Sequence, residues 1–299
     1  MNEDKVWTLK IAFIGGDKRM AVCADEFCVK NKAETALFGF EGKCDIACAT
    51  KCKNIEDCLR KANVAILPLP YSFDKKTVFA PFAEKEITLD SVLENVQDNT
   101  LILAGKLDEE FLKKVREKNK NIRCIDYFSR EELQIYNAIP TCEGAICGAL
   151  QNTEKTIYGS KILCSGYGRI GKILSKKLKY LGAEVFVSAR KQSDFALIRE
   201  EKMIPLDCRK NLCSEEFDVI FNTVPSLVFS ENVLKNMKGH PLFIELASSP
   251  YGIDFAAASE NGFKVILLSS IPGKMFPYTA GTIIEEAITN ILHENGEIL

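Results

Sequence analysis

Lys161-Ile-Leu-Cys-Ser165, then Gly166-Tyr-Gly168-Arg169-Ile170-Gly171, then the run from Lys172 to Leu181 decide the fold of the second half of this chain. An apolar run of strand length passes into a glycine turn, and the turn opens a segment with apolar residues at helical spacing. A GxGxxG triplet alone is a weak signal; between a strand and a helix it is the fingerprint of a dinucleotide site. Gly166 permits the tight turn, Gly168 lets the backbone approach a pyrophosphate, and Gly171 lets helix and strand pack closely. The helix start, at Arg169 and Ile170, offers backbone N–H groups and the positive end of the helix dipole to phosphate.

Cofactor choice is read at the end of the next strand, Glu184 to Ser188. An NAD enzyme places Asp or Glu there to accept hydrogen bonds from the ribose 2′-hydroxyl. Here the tip reads Ser188-Ala189-Arg190-Lys191, with no carboxylate. Arg190 suits stacking on adenine and pairing with a 2′-phosphate, with Lys191 and Ser193 adding contacts, so NADP (NADPH) is the expected cofactor. Ligands of such sheets lie across the carboxyl ends of the strands. Asn222-Thr223-Val224-Pro225 is therefore expected to border the nicotinamide ribose, and Glu245-Leu246-Ala247-Ser248 to face the nicotinamide ring.

Working outward, Met203 to Asp207, Asp218 to Asn222, Pro241 to Leu246 and Lys264 to Leu268 bring the strands of this half to six, as a doubly wound parallel Rossmann sheet needs. The first half repeats the plan. Leu9 to Gly16, Glu34 to Phe40, Asn63 to Pro68, Thr100 to Gly105 and Asn121 to Tyr127 read as strands. Asp108 to Asn119 is a helix with Phe111, Leu112 and Val115 inward. Short apolar strands separated by helices predict a parallel sheet covered on both faces. The expected fold class is α/β with two domains. Residues 1–140 form a flavodoxin-like domain for substrate or partner, and residues 141–276 the NADP-binding Rossmann domain with a linking helix. Helix 277–299 closes the first domain. Thr141 is expected to cap a helix running to about Thr153, and Pro277 to Leu292 to form a long terminal helix. Both are expected to join the domains and line a cleft.

Composition excludes several classes. Apolar residues make up 46% and charged residues 27%, the balance of a globular chain, and the net charge of -2 offers nothing to a phosphate backbone. Residues 1–10 have no apolar core of signal-peptide length, and no run approaches the ~18 apolar residues that cross a bilayer. Neither nucleic acid nor membrane is expected as a partner, and the protein is expected to stay in the cytoplasm. The 12 cysteines scatter through strands and helices, which fits reduced, buried thiols better than a disulfide framework. Cys44, Cys48 and Cys52 recur every fourth residue, along one face if helical, with Cys58 beyond. A metal or iron–sulfur site there lacks a CxxC pair or a neighbouring histidine, so no metal is expected.

Several longer stretches carry a family resemblance. Ile135-Tyr-Asn137-Ala-Ile-Pro-Thr141-Cys-Glu143-Gly144, the GYGRIG motif, Ser188-Ala-Arg190, Asn222-Thr-Val-Pro-Ser226 and Glu245-Leu-Ala-Ser-Ser-Pro-Tyr-Gly-Ile-Asp254 resemble the dipicolinate synthase A subunit family. Ile271-Pro-Gly-Lys274, Pro277-Tyr-Thr279-Ala-Gly281 and the opening Leu9 to Asp17 look similar. The likeness covers nearly the whole chain, is strongest from Tyr136 onward and weakest over Cys44 to Cys58. It implies a role in bacterial endospore formation, in the mother cell cytoplasm. The family makes dipicolinate, the calcium chelator of the spore core, from a lysine-pathway intermediate. It works with a separate, flavoprotein-like B subunit, and association into an oligomer is expected.

Forming dipicolinate from a dihydrodipicolinate-type precursor removes one hydride and one proton and leaves an aromatic pyridine. The protein has to align the ring with nicotinamide C4, hold two carboxylates and offer a modest base. Lys274, in a glycine-proline loop, suits a substrate carboxylate. Thr141 and Thr279, at two expected helix starts, offer hydroxyls and nearby N–H groups. Asp17 and Arg19 lie beyond the first strand, at the usual ligand edge. Asn137 lines the expected cleft, and Glu143 is the candidate proton acceptor. Each also has an ordinary structural reading, as a cap, a solvated carboxylate or a surface cation.

Only His240 and His293 are present, and neither sits where a 2-hydroxy-acid dehydrogenase places its proton-transfer histidine. Three readings remain open: an NADP-dependent oxidoreductase acting on a cyclic dicarboxylate, a noncatalytic dinucleotide-binding subunit, and another two-domain dehydrogenase of the alanine or shikimate kind. The lysine–aspartate pair usual in shikimate enzymes has no clear equivalent here.

Overall fold

A computed structural model describes residues 9–30, 33–42, 46–118, 121–207 and 212–297. The chain divides into two compact units: Met1–Tyr136 with Phe276–Leu299, and Asn137–Met275.

In the first unit, strands β1 (Lys10–Ile14), β2 (Glu34–Phe38), β3 (Thr50–Lys51), β4 (Val64–Ile66), β5 (Leu101–Ala104) and β6 (Arg123–Asp126) form one parallel sheet in the order β3-β2-β1-β4-β5-β6. Without the two-residue β3 this is the flavodoxin-like order, and β3 extends it outside β2. Alternation along β1 sends Ile11 and Phe13 to one face and Ala12 and Ile14 to the other. The first face packs against α1 (Lys18–Val29) and the terminal helix α11 (Pro277–Glu294), which contributes Ile284, Ile288, Ile291 and Leu292 to the core. The second is covered by α2 (Ile55–Leu59), α3 (Leu89–Asn95) and α4 (Glu109–Lys118) through Leu59, Leu89, Val92, Phe111 and Val115. Gly281 lets α11 lie close on α1, since a methyl there would come within 2.6 Å of the Arg19 carbonyl oxygen. Buried Glu285 accepts a hydrogen bond from Lys30 Nζ at 2.7 Å and one from Thr289 Oγ1 at 2.9 Å, so the two helices are pinned as well as packed.

Three expectations change here. Helix α5 spans Glu131–Leu150, so it begins ten residues before Thr141. Thr141 is the expected cap, but it lies inside the helix, as does Pro140, whose ring supplies no N–H to the carbonyl of Tyr136. Thr141 does not cap; its Oγ1 turns back to the Asn137 carbonyl at 2.8 Å. Second, Cys28 and Cys48 form a disulfide, so the all-reduced expectation does not hold for this pair. Asp25 holds the same loop, accepting from the backbone N–H of Ala47, Cys48 and Ala49. Third, the helical face of cysteines does not form: Cys48 lies in a bend, Cys52 follows β3 and Cys58 is buried on α2, while Cys44 lies outside the described residues. Among the described residues no cluster of His, Cys, Asp or Glu is placed to hold a metal ion.

The second unit contains β7 (Lys161–Ser165), β8 (Glu184–Ala189), β9 (Ile204–Asp207), β10 (Val219–Asn222), β11 (Leu242–Glu245) and β12 (Val265–Leu267). They form a parallel sheet in the order β12-β11-β10-β7-β8-β9, the doubly wound arrangement. Helices α6 (Arg169–Tyr180), α7 (Gln192–Glu200), α8 (Glu231–Lys235), α9 (Phe255–Glu260) and α10 (Ile271–Met275) accompany it. Phe186, Phe217, Phe229, Phe243 and Phe263 fill one face of this sheet with Leu163 and Ile220. No described helix of either unit is long and apolar enough to cross a membrane.

Candidate functional site

The turn from β7 into α6 is built as its glycines require. Gly166 has φ +99°, a conformation that disfavours any side chain, and a methyl on it would come within 2.5 Å of Thr223 Oγ1 and 2.8 Å of Val224 Cγ2. A methyl on Gly171 would overlap the carbonyl of Gly166, with its carbon at 2.9 Å. Gly168 is the contrast: it has ordinary backbone angles, and a methyl there would meet nothing within 4 Å. Packing therefore accounts for Gly166 and Gly171 but not for Gly168. The space before Gly168 is where the motif brings backbone to pyrophosphate. Gly168 is also the N-cap of twelve-residue α6 and supplies no side-chain cap to the first-turn N–H groups, as a helix start that receives an anion should be. These residues fit a dinucleotide.

Supporting contacts surround the turn. The Gly166 N–H donates to the Ser188 carbonyl at 3.1 Å and lies 3.3 Å from Ser188 Oγ. Buried Ser188 thus props the turn from below rather than reading the ribose. Thr223 donates through N–H and Oγ1 to the Ser165 carbonyl, at 2.9 and 2.8 Å, and so closes the turn from the β10 side. Lys172 Nζ lies 5.5 Å from the centre of the Tyr167 ring. Beneath α6, burial pushes the Cys142 thiol up to about 12, and its Sγ lies 3.5 Å from the Ile170 carbonyl oxygen. Arg190 is exposed just past β8, and Lys191 is the N-cap of α7.

The β10 and β11 ends hold an arrangement only half anticipated. Asn222 was expected to border a ribose, but its side chain is fully buried and donates to Glu245 Oε1 and Oε2 at 2.8 and 3.0 Å and to the Val224 carbonyl at 3.1 Å. Glu245, also fully buried, accepts from the N–H of Ala247 at 2.8 Å and of Gly252 at 3.0 Å. Burial raises its pKa from the ordinary carboxylate range, against those donors. The pair ties the loop after β10 to the loop after β11, which carries the cis Ser249–Pro250 peptide. The signal for Glu245 in the sequence is a lone acid ending an apolar strand; its partner stands 23 residues away. Pro225 is exposed and Ala247 partly so, at the outer edge of these loops.

The remaining candidates fall in separate places. In the second unit, Glu143 lies on the outer face of α5, half exposed, and pairs with Lys177 Nζ at 2.8 Å. Asn137 and Thr141 are one turn apart on the same helix and bonded to each other. Lys274 stands in the helical turn α10 rather than in a loop, exposed, with Nζ 3.2 Å from Ser269 Oγ. In the first unit, Asp17 caps α1 and holds Arg19, whose Nε lies 3.0 Å from both carboxylate oxygens. Arg19 Nη2 donates to the Leu69 carbonyl at 2.5 Å, beside the cis Leu69–Pro70 peptide. Both residues are thus at the carboxyl edge of β1 and β4. Thr279 is exposed in the first turn of α11, whose N-cap position is Phe276.

Comparison with known proteins fits this geometry. Residues 10–128 match the family model for the N-terminal domain of the dipicolinate synthase A subunit. The dipicolinate synthase A subunit of Bacillus subtilis (strain 168) is 32% identical over 292 residues, with 96% of each chain covered. The crystal structure of that Bacillus subtilis protein superposes with a TM-score of 0.84 over 96% of both chains. The crystal structure of its Bacillus halodurans counterpart gives 0.84 at 31% identity, over 95% of this chain and 97% of the other. A transhydrogenase from Sinorhizobium meliloti gives 0.71 at 11% identity, over 97% of this chain and 94% of the other, a likeness of fold alone. A sequence identity that runs through both units, on a backbone of matching topology, has one reading: this chain belongs to the dipicolinate synthase A subunit family.

Proposed function

We propose that this protein is an NADP-dependent oxidoreductase that converts a dihydrodipicolinate-type lysine-pathway intermediate to dipicolinate during sporulation. The observation that carries the reading is the free space before Gly168, in a turn whose other two glycines are fixed by packing. The nearly full-length likeness to the Bacillus subtilis synthase component supplies the reaction class.

The turn, with the N–H groups of Arg169 and Ile170, is assigned to the pyrophosphate. Arg190 and Lys191 are assigned to the 2′-phosphate, for which a carboxylate-free strand tip and an exposed guanidinium are suited. Thr223, Val224, Pro225 and Ala247 form the rim on the β10 and β11 side, with Ser188 and Asn222 holding it in shape. When bound, the dinucleotide supplies the hydride acceptor. The chain's own residues have to hold two carboxylates and take up one proton. In the second unit Lys274 is the cation assigned to a carboxylate, with Asn137 and Thr141 as polar contacts; in the first unit the candidates are Arg19, oriented by Asp17, and Thr279. Glu143, the carboxylate of an exposed ion pair, is assigned as proton acceptor. The B subunit, flavoprotein-like, is the proposed partner.

The test is absorbance of dipicolinate formed from freshly generated dihydrodipicolinate and NADP, first with the purified protein alone and then together with the B subunit. Product from the protein alone is the expected result. Product only with the partner would assign this chain a dinucleotide-binding role in a joint enzyme, and no product in either case would overturn the reading.

A further inference from the structure

The cage around Glu245 consists entirely of donors. Its two oxygens receive the Asn222 amide, the backbone N–H of Ala247 and Gly252, and the backbone of Ile253. A protonated carboxyl would turn an O–H toward an N–H, so the arrangement is complementary to the anion alone. Glu245 is fully buried, and among the described residues it has no salt-bridge partner. A buried charge that is hydrogen-bonded but not neutralised projects its field further than a surface ion pair does.

Its place in the sheet says where that field is felt. β7 carries the pyrophosphate turn, and β8 ends in the Arg190 tip on one side of it. β10 and β11 lie on the other side, so the remaining half of a dinucleotide extends over their carboxyl ends. Glu245 is the last residue of β11, in register with Asn222, the last of β10. The oxidised nicotinamide ring is a cation and the reduced ring is neutral.

Resting on the proposed dinucleotide reading, we propose that Glu245 is a specificity-determining anion that makes this site favour the oxidised over the reduced cofactor. The side chain acts through its charge, without taking part in proton transfer. An enzyme that uses NADP as oxidant gains from such a bias, because product cofactor then leaves more readily than substrate cofactor.

Equilibrium binding on the intact protein tests it, by calorimetry for NADP and by nicotinamide fluorescence for NADPH. Glu245→Gln is expected to weaken NADP about tenfold while NADPH affinity stays within about twofold; tenfold corresponds to about 1.4 kcal/mol. A third measurement uses the unaltered protein and covers the case in which Glu245→Gln does not fold. A dinucleotide in which an uncharged benzamide replaces the nicotinamide ring is expected to bind about tenfold more weakly than NADP. Equal loss of NADP and NADPH in Glu245→Gln, or equal binding of NADP and the benzamide isostere, would overturn the proposal and leave dinucleotide binding intact. No binding of any of the three to the unaltered protein would remove the dinucleotide reading itself, and the proposal with it.

Discussion

Two identical substitutions three residues apart should give opposite results. In Gly168→Ala the new methyl meets nothing within 4 Å, and the residue has φ -81°, which alanine adopts freely. Losing a glycine stabilises by ~0.4–1 kcal/mol through the unfolded chain, and alanine at an N-cap costs about as much, so stability should change by less than about 1 kcal/mol. The methyl instead occupies the space assigned to the pyrophosphate, and NADPH affinity should fall at least ~10-fold, the effect of about 1.4 kcal/mol. In Gly171→Ala the methyl lies 2.9 Å from the Gly166 carbonyl carbon and closer still to its oxygen. Carbon atoms rest at ~3.5–4.0 Å, so helix α6 and the turn must separate by more than about half an ångström. Both atoms are backbone, and no rotamer change relieves the overlap. Overpacking of this kind costs ~1–3 kcal/mol or more, which lowers the melting temperature by roughly 5–10 °C for a unit of this size. Thermal unfolding and NADPH fluorescence titration of the two variants, side by side, read both quantities. Normal NADPH binding by Gly168→Ala, or unaltered melting of Gly171→Ala, would refute the division of roles within the turn.

Other expectations are equally direct. Arg190→Ala should weaken NADPH roughly tenfold or more and leave NADH unchanged, as the loss of a charge-assisted phosphate contact requires; tighter NADH than NADPH binding by the unaltered protein, together with no effect of Arg190→Ala, would sink the NADP assignment. Cys28→Ser opens a loop with a sequence separation of 20 and should cost about 3 kcal/mol in denaturant titration of the oxidised protein, whereas reductant should bring the unaltered protein to the same stability. An effect of Cys28→Ser that persists under reducing conditions would point to packing instead. The neighbouring Cys58 thiol, with help from Lys10 and against partial burial, brings the Cys52 thiol down to about 7. Its alkylation rate should therefore rise with pH to a plateau just above neutrality, while buried Cys164 stays inert; a midpoint near 9 would contradict that environment.

Much of this architecture was legible from local pattern. Each of the eleven strands read from apolar runs lies within or across a strand of the structure, and among the described residues only the two-residue Thr50–Lys51, too short to show a period, escaped. The glycine turn was legible because its three glycines fall within six residues, directly between an apolar strand and a helix. The start of α5 differs from the expected one for a physical reason. Thr141 is a residue type that caps helices, yet Ala138, Pro140, Cys142 and Ala145 are all buried, and their packing outweighs the donor missing at Pro140.

The α/β class, the position of the glycine turn and the family were all readable in the sequence, because each rests on residues close together in the chain or on identity along its length. The partners of the polar side chains were set by tertiary contacts instead. Ser188 and Asn222, read as cofactor contacts, are buried supports, and Glu245 is a caged anion; Cys28 is bonded to Cys48, and Thr141 to its own helix. A side chain's partner depends on which strands lie side by side and what is buried between them. Neighbours brought together by folding, 20 or 23 positions apart, leave no periodic trace in a sequence.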